Sequence, residues 1–374
     1  MKRLFYIAPA FLVGSLIPGV GFWGPVVLLV GLIFFHELGH FLVAKWIGMP
    51  VEVFSLGFGP RVAGFAWRET DVRLSLLPLG GYVRLAGYNP EEPEAADPHG
   101  FLAQPAWKRL AFYGGGIAAN ILITVAIFFS VGLDRARVTA RHPNPSPLVV
   151  IDVTPGSAAA EAGLQSGDQI RAFGDLAFPG NRSEDAIAYI QARAGAAIAV
   201  TLEREGVTRT LQVVPRDESG KGKLGIAFDV SSYTSEYRPF QVKDLGRGAV
   251  FAVVESADLG WQILGNFGKL VSRKVSLKEV GGPITIVRAG SRAAKAGLAQ
   301  FLFLTAIISM NLAVLNALPI PFLDGGHAAL LLFERIRGRD LSVLMKERIL
   351  TGGFLFLASL MAFVIALDLW KLRN

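Results

Sequence analysis

Four stretches of the chain are long and apolar, at residues 22–47, 110–133, 296–318 and 352–370. Each approaches or exceeds the roughly 20 residues that a helix needs to cross a bilayer. The pattern therefore predicts four spanning helices. Between the first two, a period of two replaces the apolar runs. Residues 51–58 and 72–85 alternate, broken by Gly and Pro, and predict short strands paired as a hairpin beside the membrane. Residues 135–232 lose the long apolar runs altogether. Short strands at 149–153, 198–204 and 208–214, with helical pieces near 158–162 and 184–194, predict a soluble α+β insert there. Residues 242–277 are apolar but carry Glu255, Asp258, Lys269, Arg273 and Lys274. That pattern predicts a helix lying in the membrane interface.

The expected architecture is a polytopic α-helical membrane protein with a membrane-associated β-hairpin region and an inserted extracytoplasmic domain. Its expected segments are 1–21, 22–134, 135–235, 236–295 and 296–374. The first is an apolar run holding Pro9, Gly14, Pro18 and Gly19. With no small-residue cleavage site after it, it reads as an extra membrane segment or re-entrant hairpin in preference to a cleaved signal. The acidic residues 89–100 read as a loop.

Composition sharpens this picture. The chain has 374 residues, 52% apolar and 18% charged, with a net charge of +7. It has no cysteine, which excludes disulfides, thiolate metal sites and a cysteine nucleophile. The excess cations cluster between spans, at Arg61, Arg68, Arg73, Arg84, Lys108 and Arg109, and again at Arg335, Arg337, Arg339, Lys346 and Arg348. They read as cytoplasmic loops facing a lipid bilayer, with no nucleic-acid surface. Alternation of the spans then sets the insert on the opposite side. The basic tail at Lys371 and Arg373 runs mildly against that bias.

The first span differs from the others in its chemistry. It contains His36-Glu37-Leu38-Gly39-His40, an H-E-x-x-H pattern. Two imidazoles four apart share one helix face, suited to Zn²⁺, and the Glu moves the proton of a water. A catalytic zinc takes three protein ligands and keeps one open position. The third span runs into Asn316-Ala317-Leu318-Pro319-Ile320-Pro321-Phe322-Leu323-Asp324-Gly325-Gly326-His327. Topology returns Asp324 to the membrane face that holds His36 and His40, making it the expected third ligand. Asn316 is expected to bind the peptide backbone or a developing oxyanion, and Pro319 and Gly325 to lie along the substrate. His327 reads as a polar residue beyond the site. Asn120, inside the second span, serves either interhelical hydrogen bonding or the substrate. Gly80 and Gly81, in the strand-like region, are expected where a substrate strand would add to a sheet edge.

Two resemblances follow from these residues. The stretch Val153-Thr154-Pro155-Gly156-Ser157 through Gly167-Asp168-Gln169-Ile170, with Lys223-Leu224-Gly225-Ile226-Ala227-Phe228, resembles the PDZ domains of bacterial proteases. It implies that Gly225 and Ile226 receive a peptide. The H-E-L-G-H stretch, Gly116-x-x-x-Asn120 and the 316–326 stretch together resemble the site-2 protease family of intramembrane zinc metalloproteases. Phe54-Ser55-Leu56-Gly57-Phe58-Gly59-Pro60 and Pro78-Leu79-Gly80-Gly81-Tyr82-Val83 resemble its bacterial regulators of sigma-E protease.

The family resemblance implies a zinc endopeptidase in the bacterial inner membrane, active near the cytoplasmic face. Glu37 would be catalytic, and His36, His40 and Asp324 would be the metal ligands. It also implies single-pass membrane substrates, such as an anti-sigma factor already trimmed by a site-1 protease, or remnant signal peptides. The chain holds sequence for one PDZ-like domain where the enterobacterial members have two. A reading of another class is a membrane scaffold that binds partner C-termini through that domain, without proteolysis.

Overall fold

The computed structural model describes residues 20–88, 97–143, 146–178, 180, 182–218, 220–228, 233–272 and 282–373. Residues 1–19 of the expected extra segment 1–21, and 89–96 of the acidic stretch 89–100, lie outside them. Among the described residues, four helices are long and apolar enough to cross a membrane, over Leu28–Trp46, Ala106–Arg137, Leu298–Ala317 and Val343–Trp370. They belong to α1 (Val20–Trp46), α2 (Ala106–Arg137), α7 (Leu298–Ala317) and α9 (Val343–Arg373). α9 starts nine residues before the apolar stretch at 352, because Lys346 binds the buried Glu334 at 2.7 Å and holds a polar first turn in place. Along α9, Phe354, Leu355, Phe356, Leu360, Met361 and Phe363 are exposed. Large apolar side chains in that number suit a lipid surroundings.

The chain divides into two compact units. The first comprises residues 1–132, 248–291 and 302–374. In it, α1 stops at a Schellman turn. Gly48 adopts φ +78°, its N–H reaches the carbonyl of Lys45, and Met49 N donates to Ala44 O at 2.8 Å. Met49 is buried beneath that turn, and the chain enters β1 (Val51–Trp67) and then β2 (Thr70–Leu85).

These strands form a more folded sheet than one hairpin. Val53 pairs with both Arg84 and Asp71, and Phe54 with both Val83 and Val72. Residues 61–67 pair in turn with 70–75. The order across the sheet is therefore 61–67, 70–77, 53–58, 81–85. Positive φ at Gly57, Gly59, Gly64 and Gly80 supplies the bends. One end of the sheet is anchored by Val51, Phe54 and Leu85, packed with Phe41, Met49 and Phe112. The other exposes Phe58, Val62, Phe65, Leu74, Leu76 and Leu77, as a membrane-associated sheet would.

Two further helices in this part of the chain were not foreseen. α6 (Pro283–Ala296) follows the turn expected near 282, and α8 (Asp324–Arg337) occupies the basic stretch expected as a loop. Asp368 caps α6. Its carboxylate accepts from the N–H groups of Gly282, Ile284 and Thr285, each at 3.1 Å, and from the Thr285 hydroxyl at 2.9 Å. The interrupted apolar stretch expected from residue 242 forms one helix, α5 (Lys243–Val271), whose Val250, Val253, Val254 and Trp261 are exposed.

The second unit comprises residues 133–247 and 292–301. Its sheet runs β11 (Ile226–Phe228), β4 (Leu148–Val153), β5 (Gln169–Phe173), β7 (Ile198–Arg204), β8 (Val207–Val213), with β6 (Leu176–Ala177) beside β5. Two helices complete it, α3 (Ala158–Glu161) and α4 (Ser183–Gln191). Short β3 (Val138–Pro143) pairs with β12 (Tyr233–Tyr237), and β9 (Arg216–Glu218) with β10 (Lys221–Lys223). Leu148, Val150, Ile170, Phe173, Val200 and Leu202 form the core. Asp168, 1% exposed, is held by Arg204 through bonds of 2.6 and 2.7 Å. β11 is an edge strand. Gly225 precedes it at φ +76°, and its carbonyl accepts from Thr154 N at 2.7 Å.

Candidate active site and metal centre

The histidine face of α1 meets α2 at a point where both helices lack side chains. A side-chain carbon on Gly39 would overlap the carbonyl oxygen of Gly115, and one on Gly115 would stand 2.7 Å from Gly39 O. Only glycine permits this backbone contact. It brings His36 and His40 against the next residues of α2. A side-chain carbon on Gly116 would overlap His40 Nε2 and lie 2.7 Å from His36 Nε2. The space that Gly116 leaves is the space the two imidazoles use.

Both rings turn Nε2 inward and Nδ1 towards α2. His40 Nδ1 donates to the carbonyl oxygen of Phe112 at 2.7 Å, and His36 Nδ1 lies 3.2 Å from the amide of Asn120. The two Nε2 atoms are 3.3 Å apart.

Asp324 reaches the same point from the far end of α7. After Ala317 the chain leaves the helix, passes Pro319 and Pro321, and re-enters α8 at Asp324. Phe322 is in the left-handed region at φ +80°, a strained conformation for a bulky residue, costing about 1–3 kcal/mol. Gly325 and Gly326 make the return possible. A side-chain carbon on Gly325 would stand 2.5 Å from the carbonyl of Ala317, and one on Gly326 would overlap Ile320 O. Gly325 thus packs against its own incoming backbone. Pro319 is exposed and Asn316 half-buried on the same segment.

The outcome is a cluster of three donors. Asp324 Oδ2 lies 3.2 Å from His36 Nε2 and 3.3 Å from His40 Nε2. It is buried, yet neither nitrogen satisfies it as a hydrogen-bond partner. Among the described residues, these three form the one group of His and carboxylate side chains placed to hold a metal ion. Four-coordinate zinc with bonds of about 2.0–2.1 Å separates its ligand atoms by about 3.3 Å. The donor set and its spacing therefore fit Zn²⁺.

Glu37, next to His36 on α1, faces the sheet. A side-chain carbon on Gly81 would lie 2.8 Å from Glu37 Cγ. Gly81 pairs with Leu56 in the outermost strand segment, 81–85. Gly80 is roofed by Phe58, whose ring would stand 2.5 Å from a side-chain carbon there. The sequence placed His36, Glu37, His40, Asn120, Gly81 and Asp324 near one another, and the structure brings them together. It missed Gly39 as the partner of the small residues on α2, and the Phe112 carbonyl, which no side-chain pattern signals. His327 is half-buried and stacks on Tyr113 at 5.2 Å. Burial pushes its imidazole below the ordinary value, against the pull of Asp324.

Comparison with known proteins finds similarity over most of the chain. The description "Peptidase family M50" matches residues 25–360. A Brucella suis protein with the provisional name of zinc metalloprotease is 34% identical, over 98% of this chain and 98% of that one. A Campylobacter jejuni protein of the same provisional name is 30% identical over 100% and 99%. The chloroplastic membrane metalloprotease ARASP of Arabidopsis thaliana is 31% identical over 92% of this chain and 77% of its own. Among solved structures, the PDZ domain of an SdrC-like protein from Listeria monocytogenes aligns with 24% of this chain and 93% of its own. Its identity is 21% and its TM-score 0.20, too slight to carry an argument.

Proposed function

The chain belongs to peptidase family M50 and is a multi-pass membrane zinc metalloprotease; on that premise we propose that His36, His40 and Asp324 hold its zinc and that Glu37 is its catalytic acid–base. The observation that carries the assignment is the spacing of the three donor atoms, 3.2, 3.3 and 3.3 Å, around a buried carboxylate oxygen without a hydrogen bond. Zinc supplies there a Lewis acid that polarises a peptide carbonyl and acidifies water.

The chain's own residues do the rest. His40 is fixed by the Phe112 carbonyl, and the Gly39–Gly115 contact sets the depth of both imidazoles. Glu37 takes the proton of the attacking water and delivers it to the leaving amine nitrogen. A helical substrate hides its carbonyls in hydrogen bonds, so it must unwind before cleavage. The outer edge of residues 81–85, beside Glu37, supports capture of such a segment as an added strand. Gly80 and Gly81 keep that edge low, while Asn316 and Pro319 border the segment leading to Asp324.

The substrate class is the transmembrane segment of single-pass proteins, such as a pre-trimmed anti-sigma factor or a remnant signal peptide. Cation placement supports a bacterial inner-membrane location, the active site near the cytoplasmic face and the 135–235 domain outside. The edge strand β11, with Gly225 and Ile226, would bind the trimmed C-terminus of a substrate whose first cut is made by a site-1 protease. α5, from residue 248 onward, would rest in the interface through Val250, Val253, Val254 and Trp261. The deciding experiment is Glu37→Gln, with zinc content checked and a single-pass reporter co-expressed. Loss of cleavage with zinc retained is expected; unchanged cleavage would refute the assignment.

A further inference from the structure

Asn120 has no surface to offer a substrate. It is 0% exposed in the middle of α2. Interhelical adhesion, the other task for an amide in a span, is already performed by its backbone. The Asn120 carbonyl oxygen accepts from Ser309 Oγ of α7 at 2.8 Å and from Thr124 Oγ1 at 3.2 Å. The Thr124 hydroxyl also lies within 3.2 Å of Ala306 O. These bonds leave the side chain uncommitted, and it is turned onto His36, with Nδ2 3.2 Å from Nδ1. Its other end, Oδ1, is buried without a partner.

The chemistry of the ring decides what that side chain must do. An imidazole that ligates through Nε2 keeps its proton on Nδ1, and that N–H requires an acceptor. For His40 the acceptor is the Phe112 carbonyl. For His36 the neighbour is Asn120, whose one acceptor is the orphaned Oδ1. Half a turn of the amide about its last bond exchanges Oδ1 and Nδ2, two atoms of nearly equal electron density. It places the orphan on the His36 N–H.

We propose that Asn120 is a positioning residue for the metal centre: as the acceptor for His36 Nδ1–H, it fixes the tautomer and the plane of that ligand. This rests on His36 being a zinc ligand. Asn120 acts through His36 and touches no substrate.

The test is zinc affinity of the full-length protein in detergent, measured by competition with a chromogenic chelator. Asn120→Leu keeps the branching and the heavy-atom count of the side chain and removes the acceptor; Asn120→Asp keeps an acceptor. The leucine variant is expected to bind zinc about 10–100-fold more weakly. The aspartate variant is expected to equal or exceed the parent, and peptide KM at saturating zinc should not move in either. Ser309→Ala serves as the packing control, expected to lower Tm without changing zinc affinity. Parent-like zinc affinity in Asn120→Leu overturns the proposal, and a raised KM in its place would return Asn120 to the substrate. His36→Ala separates the two levels of the argument, since undiminished zinc binding there refutes the metal centre itself. If the leucine variant does not accumulate, Asn120→Ala decides by the same titration, because it removes the acceptor and adds nothing to the core.

Discussion

Gly39 and Gly115 touch through their backbones, and neither site has room for a methyl group. Each is the neighbour of a residue at the metal centre, Gly39 of His40 and Gly115 of Gly116. The helix contact and the donor cluster are thus one piece of geometry. Replacing Gly39 by Ala should push α1 from α2 at an overpacking cost of about 1–3 kcal/mol. A lower Tm in detergent, together with reduced zinc content, is the expected result.

Gly116→Ala makes a sharper prediction. Its methyl group would fall on His40 Nε2 rather than on backbone. Zinc affinity should drop tenfold or more while the helix contact survives. Metal analysis of the purified protein, paired with a thermal melt that changes little, checks this.

Gly81→Ala probes the sheet edge. The added carbon would stand 2.8 Å from Glu37 Cγ, and Ser55 O would be 2.9 Å away. Since neither group is a zinc ligand in the proposal, zinc content should stay at parent level. Cleavage should fall by about 10²-fold, the lower end of what a displaced general base costs. Equal losses of zinc and activity would place Gly81 in the metal centre instead.

The second unit should show an acid-labile segment. Arg238 holds the buried Asp244 carboxylate through bonds of 2.5 and 3.0 Å, and this pairing lowers its pKa to about 2. An unfolded Asp titrates near 3.9. The folded value is the lower one, so the contribution to stability is complete above about pH 4 and is lost as pH falls through about 2. Hydrogen exchange in peptides covering 238–247 should therefore accelerate across that window. Asp244→Asn should exchange fast already at neutral pH and lose the dependence.

Asp368→Ala should release α6. Three backbone N–H groups lose their acceptor at once. The expected cost is about 1–2 kcal/mol, as for loss of a helix cap. Faster proteolysis at 282–296, with the zinc content intact, would report it.

The spans and the H-E-x-x-H were legible in the sequence because each is a strong local signal, whereas Asp324 was reached only through the alternation of the spans. A run of apolar residues or an H-E-x-x-H needs nothing distant to be recognised. α6 was not legible, since the group that caps it stands 86 residues away from Gly282. α8 was hidden by its cations. Arg335, Arg337 and Arg339 read as a loop, whereas Leu331 and Glu334 are buried and Gly338, at φ +74°, ends the helix. The sheet was read too simply because residues 61–67 are exposed throughout and lack the alternation of a half-buried strand. Asn120 was read as open to two roles. Choosing between them required its burial and the direction of its amide, which no sequence pattern encodes.

The wide separation of Asp324 from His36 and His40 also sets an order in time. A ribosome inserts α1 and α2 long before it reaches α7, so the nascent chain presents His36, Glu37 and His40 without Asp324. If Asp324 is the third ligand as proposed, a translocating chain in the same membrane meets only two of the three donors until it emerges. Proteolytic competence would then arrive late in synthesis, when most of the chain has already been threaded into the bilayer.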